Sequence, residues 1–100
     1  MLNASAKELA MSMWMGELSS VEVTQFYINR IEKHNPAINA VIAERFEAAL
    51  DEARQADEKV RRGEPLGALH GLPMTIKDAY EVTGLTCEVG HLPFKGRVSD

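Results

Sequence analysis

The residues best placed to do chemistry lie in "HGLPMTIKDAY", residues 70–80. Lys77 closes a short apolar, β-prone run, and Asp78 follows it at once. The run from Leu72 to Lys77 reads as a strand, with Met74 and Ile76 on one face and Thr75 and Lys77 on the other. His70, Gly71 and Pro73 punctuate its start. Two chemistries compete for Lys77. On an edge strand a lysine's charge discourages pairing with another chain. In a buried strand the ammonium loses hydration, its pKa falls, and the neutral amine can act as a general base. By residue type alone, the edge charge is the reading to prefer.

The other reactive side chains carry less. His70 reads as a residue that positions the loop ahead of the strand rather than as a catalytic group. Cys87 and His91 lack the orienting third group that a nucleophilic pair requires. Cys87 with His34, His70 and His91 shows no metal-ligand spacing, so no metal and no other cofactor is expected. Asp78 points away from Lys77 if both are extended, and is expected to accept backbone N–H groups at the following turn.

Three helices precede this stretch and must position it. Ser5 and Glu8 have the spacing of a capping box and open a helix over about 5–15, with Leu9 and Met13 on one side and Gly16 as its stop. Ser19 and Glu22 form a second box, with Leu18 and Val23 placed as a hydrophobic staple, and open a helix over about 19–34. Val23, Tyr27 and Ile31 stripe it, and Asn35-Pro36 is its expected end. "AINAVIA", residues 37–43, fits either a connector or a helix start. A third helix is expected over about 44–62. Phe46, Leu50, Ala53, Ala56 or Asp57, and Val60 lie on one side, acidic residues come early and basic ones late. Gly63 and Pro65 stop it. "YEVTG", residues 80–84, reads as a second extended piece, and the tail to Asp100 has few helix signals. Met11, Met13, Trp14 and Met15 fit either a partner-binding surface or a helix face over a core.

Composition bounds the rest. One hundred residues suit a single small domain, and 45% hydrophobic residues allow a core. A net charge of −4 argues against a nucleic-acid partner. The lone Cys87 excludes an internal disulfide and fits a reducing, cytoplasmic compartment. No signal peptide and no membrane-length apolar run is present, so no membrane association is expected. The abrupt end at Asp100 is what a segment cut from a longer chain would show.

The order of these elements is specific in combination. "GELSSVEVTQFYINRIEKHNPAINAVI", an Ala-rich charged helix and "GEPLGALHGLPMTIKDAYEVTGL" together resemble the N-terminal region of the amidase signature family, over roughly residues 5–96. The resemblance implies an α/β fold, a mixed sheet covered by helices. To it residues 1–100 would contribute N-terminal helices and a first strand, forming one segment with no second domain. It implies a serine-dependent hydrolase of carboxamide C–N bonds, using a nucleophilic serine, a second serine on a cis peptide and a lysine. By the resemblance Lys77 falls on the catalytic lysine. The family's two serines lie on a Gly/Ser-rich stretch downstream, and Ser99, the only serine after Lys77, lacks that context. The 100 residues alone are therefore expected to be inactive. At "TCEVGH" Gly90 fits the family pattern, whereas Glu88 and His91 depart from it. The expected partners are a small-molecule amide and further copies of the chain, because an open strand edge and uncovered helical faces favour self-association. A helical interaction module without catalysis is the alternative from another class.

Overall fold

The computed structural model describes residues 1–85 and 96–99. Its described secondary structure is three helices, α1 (Ala6–Trp14), α2 (Ser20–Ile38) and α3 (Phe46–Arg61), followed by irregular chain. The helix ends follow from the local sequence. Ser5 Oγ accepts the Glu8 N–H at 3.1 Å, although the reciprocal bond of a full capping box is not made. At the other end of α1, Gly16 takes a positive φ of 76°. Its N–H donates to the Met13 carbonyl and that of Glu17 to the Ser12 carbonyl. That is the paired bonding of a Schellman stop, which needs a left-handed residue at this position. α3 ends the same way at Gly63, with Gly63 donating to Val60 and Glu64 to Lys59.

α2 has the most fully bonded start. Ser19 Oγ accepts the Glu22 N–H at 3.0 Å and Glu22 Oε2 accepts the Ser19 N–H at 2.8 Å. The two remaining donors, the N–H groups of Ser20 and Val21, reach Asp57 of α3 at 2.6 and 3.1 Å. All four N–H groups that a helix start leaves without helical partners are thus bonded. A carboxylate beside a helix N-terminus is also favoured by the helix dipole. This bond fixes α3 against the start of α2, and the two helices form the main packed pair.

The core lies between α1 and α2. Leu9, Met13 and Val23 are buried, Val23 completely, and Ala4, Leu18, Tyr27 and Leu72 pack against them. Leu18 thus takes the staple position beside Val23. Trp14, Met11 and Met15 are exposed, so only Met13 of that cluster belongs to the core.

Three sequence expectations are corrected. α2 does not stop before Asn35-Pro36 but runs on to Ile38. Pro36 sits in the last turn, and the chain reverses just beyond it at Asn39, which is left-handed with φ 48° and donates to the Asn35 carbonyl. The Asn35 side chain stabilises the reversal by bonding the Val41 N–H and carbonyl, each at 2.8 Å. α3 begins at Phe46 rather than near Glu44, because Glu44 stays outside and its carboxylate accepts the Phe46 N–H. Arg45 beside it is held above its ordinary pKa by a hydrogen bond to Glu52 and by that residue's charge, at an exposed position where such pairs contribute little.

The third correction concerns residues 72–77, which form no strand. A strand exists only with a ladder partner, and among the described residues nothing pairs with this segment. Among the described residues, an isolated parallel bridge joins Thr83 and Ser99. There the Gly84 N–H donates to the Ser99 carbonyl at 2.8 Å and the Ser99 N–H to the Leu85 carbonyl at 3.0 Å. An Arg97–Glu81 ion pair flanks it.

Replacing Asp57 by alanine should lower the unfolding free energy by about 1–3 kcal/mol, since two N–H groups lose their acceptor. Asp57→Asn, which keeps one acceptor oxygen, should lose less. Urea unfolding of the two variants beside the parent gives the ranking, and equal stability of all three would contradict the role assigned to Asp57.

Candidate active site

The loop that delivers Lys77 is tied to the helices at its base. His70 Nε2 lies 2.9 Å from the Ala56 carbonyl of α3. A carbonyl can only accept, so the ring nitrogen in this bond is the protonated one. Ser20 is almost fully buried, and its hydroxyl donates to the Gly71 carbonyl at 2.6 Å. Gly71 has a φ of +77°, and a Cβ placed there would lie 3.2 Å from Met13 Sδ and from Ser20 Cβ and Oγ. Only glycine suits both the dihedral and the gap. Leu72 then enters the core beside Met13 and Val23. Over six residues, 67–72, the chain also makes two turn bonds, His70 N–H to Gly67 and Leu72 N–H to Leu69.

Burial falls away directly afterwards. Pro73 is half-buried, and Met74, Thr75, Ile76 and Lys77 are exposed. Met74 is 64% and Ile76 56% exposed, with Leu69 and Tyr80 similarly uncovered nearby in sequence. The helices cover the segment at Leu72 and do not follow it to Lys77. Within these residues Lys77 therefore keeps its water, and the desolvation a base lysine requires is not supplied. Its carbonyl accepts the Tyr80 N–H at 2.9 Å, closing a turn in which Asp78 is half-buried.

The structure brings His70 to the base of the Lys77 segment, in the positioning place expected of it. Ser20 follows the cap: Ser19 takes that role, and the Ser20 hydroxyl is used on Gly71 instead. Asp57 and Gly71 also matter more than the sequence reading allowed. A carboxylate on an otherwise apolar helical stripe, and a glycine directly ahead of a β-prone run, were the signals available for them. Cys87, Glu88, Gly90 and His91 lie outside the described residues. Among the described residues no group of three or more His, Cys, Asp or Glu side chains is arranged to hold a metal. No described helix is long and apolar enough to cross a membrane.

The Amidase family model matches residues 22–100, and the chain belongs to that family. It is 46% identical over 89 residues to a glutamyl-tRNA(Gln) amidotransferase subunit of Chlamydia pneumoniae, covering 87% of this chain and 18% of that protein. It is 41% identical over 105 residues to fatty-acid amide hydrolase 2-B of Danio rerio, covering 98% of this chain and 20% of that protein. Among solved structures, a bacterial aryl acylamidase of the amidase signature family matches with a TM-score of 0.88 at 28% identity, covering 96% of this chain and 20% of that one. The chain thus spans about a fifth of the length of these relatives. In fold class it is an α/β amidase segment that is itself mainly helical, with three helices and little strand.

Gly71→Ala is expected to destabilise the protein by about 1–2 kcal/mol from the left-handed backbone alone, with the crowding against Met13 and Ser20 in addition. Gly71→Asn tolerates the dihedral better but brings the same Cβ, so it should not restore stability. Thermal melts of both variants provide the check; a near-parental melt for the asparagine variant would show that the gap is unimportant.

Proposed function

We propose that residues 1–100 are the N-terminal segment of a single amidase domain that hydrolyses carboxamide C–N bonds, and that Lys77 is its catalytic base. The observation that carries this reading is the placement of Lys77. It sits six residues beyond a glycine locked between α1 and α2, in a chain that belongs to the Amidase family. The relatives, an amide hydrolase and an acylamidase among them, support amide substrates. They differ in what they act on, and the amide taken here is set by sequence beyond these residues.

In this reading the rest of the enzyme covers Met74, Ile76 and Tyr80, pairs the extended segment in a sheet and removes water from around Lys77. Desolvation then lowers the lysine pKa so that the neutral amine can accept a proton. The amine takes the proton of the serine on the cis peptide, that serine takes the proton of the nucleophilic serine, and the freed oxygen attacks the amide carbon. Backbone N–H groups stabilise the oxyanion, and the proton held by the relay passes to the leaving nitrogen as the C–N bond breaks. The resulting acyl ester is released by water along the same relay. No cofactor enters the scheme. The substrate is a small-molecule amide, the compartment is the cytoplasm, and the exposed apolar residues favour a homo-oligomer.

In the full-length enzyme Lys77→Ala should lower kcat by about three orders of magnitude or more while leaving the melt nearly unchanged, because members of a coupled triad act as a unit. Lys77→Arg should fail as well, since a guanidinium stays protonated. Steady-state amide hydrolysis decides this, and an arginine variant with substantial turnover would rule out the base role.

The 100-residue chain on its own should release no product from simple amides, take no label from a serine-directed fluorophosphonate, and self-associate at micromolar concentration. Intact-mass spectrometry and light scattering read these outcomes. A stoichiometric serine adduct would refute the division of the active site, and a monodisperse monomer the expected association.

A further inference from the structure

The base of the Lys77 segment is held by two side chains that lie outside the segment's exposed part. Ser20, at the first turn of α2, is 2% exposed, and its Oγ donates to the Gly71 carbonyl at 2.6 Å. His70 Nε2 donates to the Ala56 carbonyl of α3 at 2.9 Å. The two ties meet at one junction, because Asp57, the residue after Ala56, bonds the N–H groups of Ser20 and Val21. Each tie ends on a helix rather than on another loop, so the segment starts from a rigid frame. Beyond Leu72 burial falls away, and residues 74–77 are exposed.

We infer that Ser20 and His70 are positioning residues for the amidase reaction: they set the origin and direction of the segment that carries Lys77 into the active site. The inference rests on the reading of Lys77 as the base. Extended chain advances about 3.3 Å per residue, so a swing at residue 71 is magnified by the time it reaches Lys77. Placing errors of about 1 Å at reacting groups can cost about a hundredfold in rate. A looser segment also lets water back to the amine, which raises its pKa.

The test uses the full-length enzyme and two pairs of variants. Ser20→Ala removes the first tie, whereas Ser20→Thr keeps a hydroxyl. His70→Leu removes the second, whereas His70→Gln keeps an N–H donor of similar reach. Expected for Ser20→Ala and His70→Leu is a fall in kcat of about ten- to a hundredfold, with KM within about twofold. The acidic limb of the kcat/KM profile should also move to higher pH. The Thr and Gln variants should recover most of the rate. Rates are expressed per folded molecule, with the folded fraction taken from the melt of each variant. If a tie-breaking variant does not fold at assay temperature, the same pH limb is read on the other tie's pair. A purely structural role would lower the melting temperature and leave both kcat per folded molecule and the pH limb unchanged, and that result overturns the inference. So does a rise in KM alone. If Lys77→Ala retains activity, the base assignment itself has failed, an outcome distinct from a Ser20 or His70 variant with normal kcat.

Discussion

The carboxylate of Asp57 sits where three segments of the chain meet, and the arrangement around it depends on that bond. It closes the N-terminus of α2 from outside, completing what Ser19 and Glu22 begin. It brings α3 to that end of α2, with His70 bonded to the adjacent carbonyl and Ser20 bonded to Gly71. Without the acceptor, two N–H groups would be left facing a partly buried junction, which is costly, and the frame for the Lys77 segment would lose one wall. The hydrophobic core adds cohesion at α1 and α2 but has no comparable direction, since burial is non-directional.

This division between an oriented polar junction and an unoriented apolar core suits a segment whose proposed base, Lys77, is exposed. Leu72 anchors the segment in the core, and Gly71 lets the backbone approach closely enough for that. Lys77 lies five residues past Leu72, with its apolar neighbours uncovered. The helices define where the segment starts, and among the described residues no strand pairs with it.

Much of this was readable in the sequence where the signal was local. Capping at Ser5 and Ser19, the Leu18–Val23 staple and the Gly16 and Gly63 stops all involve residues within a few positions of one another, so their spacing carries the information. Pro36 misled because a proline removes a bond without saying how many residues of the turn survive it. The reversal depends on Asn35 reaching Val41 and on Asn39 turning left-handed. The segment 72–77 has the alternation of a strand, but alternation reports a preference and pairing needs a partner. The Ser20–Gly71 and Asp57–Ser20 bonds span 51 and 37 positions, and no short-range pattern encodes them. For the candidate site, Lys77 stood out through its neighbours in sequence, whereas the residues that hold its loop did not.

The long reach of the Ser20–Gly71 bond bears on the order in which the chain matures during synthesis. Every group in the junction, from Ser19 to Leu72, belongs to the first 72 residues, so the junction can close as soon as that much chain has left the ribosome. Closing loops of this length carries an entropy cost that grows only slowly with their size. The segment after it leaves Met74 and Ile76 open to solvent. The nascent chain then presents a settled helical base beside exposed apolar side chains, the kind of surface that chaperones bind and that aggregation exploits.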